Sequence, residues 1–74
     1  MDAQKVIIHS RAAPNGTIVE IGERPQGLTP QEWFNFLSLA AGDAYQAFSG
    51  ARGVFRLDRA RLDALKAESV KSAA

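Results

Sequence analysis

Residues 28–48 read LTPQEWFNFLSLAAGDAYQAF, and the fold of the chain turns on how much of this stretch is helix. Its start is well marked. Thr29 is placed to cap an N-terminus, and Pro30 occupies the first helical position, where a missing N–H removes no helix bond. Glu32 falls at the third position and closes a T-x-x-E capping box, while Leu28 and Trp33 have the spacing of a hydrophobic staple. Continuing at about 100° per residue as far as Ser49 gathers Trp33, Phe34, Leu37, Ala40, Ala41, Ala44, Tyr45 and Phe48 on one arc. Gln31, Glu32, Asn35, Ser38, Gly42, Gln46 and Ser49 fall on the other. Two large residues break the pattern: Leu39 sits among polar neighbours and Phe36 on the shoulder of the apolar arc. Both become candidate contact residues, although isolated exposed apolar side chains are common on any surface. Gly42 and Asp43 offer a competing reading, since a glycine can end one helix and an aspartate can cap the next, giving a helix-turn-helix.

Upstream, KVIIHS (5–10) and TIVEI (17–21) are rich in β-branched residues and read as two strands. Between them, RAAPNG holds a proline that presets its own φ, then an asparagine and a glycine suited to a tight reversal. The reading is a β-hairpin over about 5–21. Alternation puts Val6 and Ile8, with Thr17, Val19 and Ile21, on the core face. It turns Ile7 and Ile18 outward beside His9 and Glu20, and these two isoleucines join the candidate partner-binding residues.

Downstream, Ser49 and Gly50 read as a helix stop, and GVFRL (53–57) as a short strand joining the hairpin, either parallel to residues 17–21 or antiparallel beside the first strand. Asp58 can open a last helix over about 58–70, with Leu62, Leu65 and Val70 on its packing side. The expected fold class is therefore α+β: one small domain over 1–74 in the order β-β-α-β-α, a three-stranded sheet bearing a long amphipathic helix.

The chain has 74 residues, 46% hydrophobic and 23% charged, a globular mix with too little length for two domains. It contains no cysteine, which excludes disulfides, thiolate nucleophiles and the usual structural zinc sites. No stretch approaches the roughly 20 apolar residues that cross a bilayer, and no signal-type N-terminus is evident, so the expectation is a cytoplasmic protein without membrane contact. The net charge is +1, but residues 1–50 carry three basic and five acidic side chains while residues 51–74 carry six basic and three acidic. Arg52, Arg56, Arg59 and Arg61 in that basic third are the candidate nucleic-acid-binding residues, because guanidinium groups neutralise phosphates. Arg59 with Asp63, Asp63 with Lys66 and Glu68 with Lys71 are spaced instead as ordinary pairs on a solvated helix.

Catalytic chemistry is poorly supplied. His9 is the single histidine and has no evident nucleophile or ligand partner; Glu32 and Asp43 form no recognisable acid–base pair; GARG (50–53) lacks the Lys-Ser/Thr ending of a phosphate loop. No catalytic residue, cofactor or metal site is expected. All six aromatic residues lie between Trp33 and Phe55, more than a small sheet can readily cover. The sequence points to a non-catalytic binding protein that regulates or inhibits a larger macromolecule by protein contact, of the kind encoded among bacterial or phage accessory genes, with homodimerisation as a companion. The alternatives are a nucleic-acid-binding regulator using the basic third and a structural subunit that assembles through a sheet edge.

Overall fold

Thr29 caps a helix in the manner its sequence implies. In the computed structural model, which describes residues 5–73, with side chains as far as Lys71, helix α1 runs Pro30–Ala40. The Thr29 hydroxyl accepts from the Glu32 N–H (3.1 Å) and the Glu32 carboxylate accepts from the Thr29 N–H (2.9 Å). Leu28 and Trp33 are both buried in the same core cluster, as the staple requires.

The helix is half as long as its apolar arc suggests. Ala41 leaves helical geometry at φ −143° while its N–H still bonds to Leu37 O, and Gly42–Ala44 forms a single 3-10 turn. A glycine costs about 1 kcal/mol relative to alanine inside a helix, and the aromatic residues beyond it gain more by joining the sheet. Tyr45–Phe48 is strand β3, and Ser49 to Ala51 is a hairpin loop rather than a helix stop. Gly50 (φ 80°) and Ala51 (φ 60°) both take left-handed geometry there.

The chain order is β1 (Lys5–Ala12), β2 (Ile18–Ile21), α1, β3, β4 (Arg52–Asp58) and α2 (Arg59–Ala73). The α+β class therefore stands, but the sheet has four strands, not three. Its order is β2-β1-β4-β3, and every neighbouring pair is antiparallel. Of the two placements left open for the last strand, the structure adopts the antiparallel one beside β1.

The first hairpin corrects the reading of its second strand. Ser10 pairs with Ile21, Arg11 with Glu20 and Ala12 with Ile18, so Val19 is an extra residue opposite no partner. This β-bulge resets the alternation. Ile18 turns inward and is buried at 8% exposure, while Val19, assigned to the core by strict alternation, turns outward. The Ile18 N–H is bound instead by the Gln31 side-chain carbonyl (2.6 Å), which ties the bulged strand to α1.

Both helices pack on one face of the sheet, against Ile8, Ile18, Ile21, Phe55 and Leu57. Trp33 and Leu37 from α1 and Leu62 from α2 have no solvent exposure. The indole N–H of Trp33 reaches Gly22 O at 3.0 Å, so burying it leaves no unpaired donor. Phe34 meets Tyr45 and Phe55 edge-on, and Tyr45 lies tilted against Phe55, with centroids 4.9–5.6 Å apart. Tyr45 leans over Gly53, where its ring and hydroxyl leave no room for a Cβ. Val70, expected on the packing side of the last helix, is exposed, and Ser69 is buried in its place.

Candidate functional site

The sheet has a second face, and among the described residues no element lies over it. The molecule measures 17 Å along its shortest axis, room for a sheet and a single layer of helices about 10–12 Å across. Because side chains alternate along a strand, the pairing registers fix what the open face displays. Phe48, Arg52, Arg11 and Glu20 make one row across the four strands, Gln46, Val54 and His9 the next, then Arg56 with Ile7, then Asp58 with Lys5.

The face mixes apolar and charged groups. Ile7 is 52% exposed, Phe48 45% and Val19 40%, whereas Val54 at their centre is only 2% exposed without belonging to the core cluster on the other side. Its flanks are occupied by His9 and Gln46 in register, and by Arg52 and Arg56 two positions away on the same side of its own strand. Ile7, His9, Val19 and Glu20 also line a shallow open depression of about 490 Å³, closed on its far side by Gly22–Arg24 and Pro30.

The charges on this face have distinct partners. Arg11 Nε donates to Glu20 Oε1 at 2.8 Å, and Lys5 pairs with Asp58 at 3.1 Å. The Arg11 hydrogen bond, reinforced by its charge, holds the Glu20 carboxyl below its ordinary value and raises the guanidinium in return. Arg56 donates to the neutral Gln46 side chain. Arg52 has no ion-pair partner among the described residues, and it stands directly across from Arg11.

The residues singled out from sequence are dispersed. Ile7 lies on the open face, but Ile18 is core. Phe36 is half-buried, stacked on Trp33 with centroids 6.1 Å apart, and Leu39 on the helix side of the molecule is 90% exposed. The basic third divides too. Arg52 and Arg56 share the open face, while Arg59 and Arg61 make internal ion pairs. Arg59 binds Glu23 at 2.9 Å and Asp63 at 3.4 Å. Arg61 binds Asp43 at 3.2 Å and Ala40 O at 3.3 Å, placing a cation at the C-terminus of α1, where helix carbonyls carry partial negative charge. Lys66 reaches Glu23 at 2.8 Å rather than Asp63. That hydrogen bond is the largest of the influences that together hold the Glu23 carboxyl below its ordinary value.

Sequence reading missed Val19, Val54, Arg11 and Phe48 as members of one surface. The signal for Phe48 was present: two short β-prone runs flank Ser49-Gly50-Ala51, a three-residue loop containing glycine. Among the described residues, no cluster of three or more His, Asp or Glu could hold a metal ion, and no helix is long and apolar enough to cross a membrane. No protein-family model matches the chain, and no curated protein or solved structure shows significant similarity to it.

Proposed function

We propose that this chain is a small non-catalytic binding protein that regulates or inhibits a larger macromolecule by protein contact, and that the open sheet face is the contact surface. The observation that carries this reading is a face that no described element covers: Ile7, Val19 and Phe48 stand exposed on a four-stranded sheet whose opposite face bears the core. Apolar and aromatic side chains presented by a preformed surface, rimmed by arginine, are the usual anchors of protein interfaces. Leu39 is exposed on the helix side and Phe36 is half-buried, but a single exposed leucine needs no partner to explain it.

A non-catalytic role accords with the electrostatics of the depression. Its carboxylates, Glu20 and Glu23, are held ionised by Arg11 and by Lys66 with Arg59, which makes them weak bases and poor acids near neutral pH. The nucleic-acid reading is less well supported, because Arg59 and Arg61, half of its residues, already have internal carboxylate partners.

The test is affinity purification from the native host with mass measurement of the complex. Ile7→Ser/Phe48→Ser abolishes the complex and Leu39→Ser preserves it; a complex of unchanged mass and yield with the Ile7/Phe48 variant refutes the assignment of the surface.

A further inference from the structure

The charges on the open face restrict what can occupy it. We infer that the occupant is an acidic, partly apolar protein segment, whose carboxylates meet Arg52 and Arg56 and whose apolar side chains lie on Ile7, Val19 and Phe48. This inference rests on the contact reading above.

The face carries Lys5, Arg11, Arg52 and Arg56 against Glu20 and Asp58. Both carboxylates are already matched, to Arg11 and Lys5. Arg52 and Arg56 thus remain without a carboxylate among the described residues, on the same side of β4 and about 13 Å apart along the strand. Across the ladder Arg52 also faces Arg11, whose own charge is met by Glu20, so Arg52 is the cation of that row left for an incoming anion. A planar guanidinium takes a carboxylate through two parallel hydrogen bonds, so these arginines suit aspartate and glutamate side chains.

The same charges disfavour the other occupants. A second copy docked face to face would oppose one arginine-rich surface to another. A nucleic acid would bring its phosphates against the Glu20 and Asp58 carboxylates, and the face offers one phenylalanine, Phe48, where successive bases need successive rings to stack on. Edge-to-edge assembly is hindered because both edge strands, β2 and β3, have only four residues and β2 carries the Val19 bulge.

The experiment is an NMR titration of the full chain with three probes: a peptide of about ten residues alternating glutamate with valine, the same peptide with lysine for glutamate, and an oligothymidylate of similar length. Each is run at about 20 mM and about 300 mM salt, which shortens the screening length severalfold. The glutamate peptide alone shifts the amides of Ile7, His9, Arg11, Arg52, Val54 and Arg56. Its affinity falls about tenfold at the higher salt and about tenfold in Arg52→Glu/Arg56→Glu, whose exposed substitutions leave the melting temperature nearly unchanged. No shift with the glutamate peptide at low salt overturns the inference, as does an equal response to the lysine peptide. Tighter binding of oligothymidylate also overturns it, in favour of a nucleic-acid surface. In the native complex the two readings separate: loss with Ile7→Ser/Phe48→Ser but not with Arg52→Glu/Arg56→Glu sinks the acidic partner alone, and indifference to both pairs sinks the contact reading itself.

Discussion

Glu23 has the most connected side chain of the connector between β2 and α1. It adopts a left-handed φ of 61°, which costs a non-glycine residue about 1 kcal/mol, and its carboxylate is gripped by Lys66 and Arg59 of α2. Because its folded-state value lies below the ordinary 4.5, its ion pairs contribute stability that is complete above that ordinary value and lost as pH falls through the lower one. Glu23→Gln therefore lowers stability near neutrality by about 0.5–1 kcal/mol, and the gap between variant and wild type narrows in acid. Thermal melts between about pH 2 and pH 7 check this; a gap that does not change with pH would show that the ion pairs are not its source. Gly53 poses a purely steric question. Adding a methyl group there displaces the Tyr45 ring, so Gly53→Ala costs about 1–2 kcal/mol and weakens the near-ultraviolet circular dichroism of the Tyr45–Phe55 pair; an unchanged spectrum would mean that the ring is not seated over Gly53.

At the scale of elements, what could be read from sequence depended on whether the decisive interaction was local. The N-terminus of α1 was legible to the residue, because Thr29, Pro30 and Glu32 act on backbone within one turn. Thr29→Ala is expected to lower stability by about 1 kcal/mol in chemical denaturation. Its C-terminus was not legible, because Tyr45 and Phe48, three residues apart, share a face in a helix and continue its apolar arc, whereas in strand β3 they lie on opposite faces. Phe34 and Phe55, distant in sequence, decide between them by packing against Tyr45. Strand β2 failed for a related reason: alternation holds only where pairing is regular, and the Val19 bulge exchanges Ile18 for Val19 on the core face. Gln31→Ala tests that geometry by leaving the Ile18 N–H without its acceptor, for an expected loss of about 1–2 kcal/mol, whereas Leu39→Ser changes stability little and Leu37→Ala costs about 2–5 kcal/mol. Comparable losses for Leu39 and Leu37 would contradict the helix orientation. The candidate site was half legible. Ile7, Arg52 and Arg56 were named from sequence, but their meeting on one face depends on the antiparallel pairing of β1 with β4, a long-range choice that local patterns do not encode.

At the scale of the whole molecule, a four-stranded sheet with both helices on one side leaves the chain two-sided: a face that bears the core, and an outer face where Val54 is buried among exposed neighbours. The central claim is that this outer face is the surface another protein covers. The most direct measurement is relaxation enhancement of side-chain methyl and aromatic resonances by a soluble paramagnetic chelate, recorded for the free chain and for its native complex. In the free chain, Ile7, Val19, Phe48 and Leu39 are strongly enhanced and Val54 and Ile18 are not. In the complex, Ile7, Val19 and Phe48 become protected while Leu39 stays accessible; protection of Leu39 with Ile7 and Phe48 still open to the probe would contradict the account.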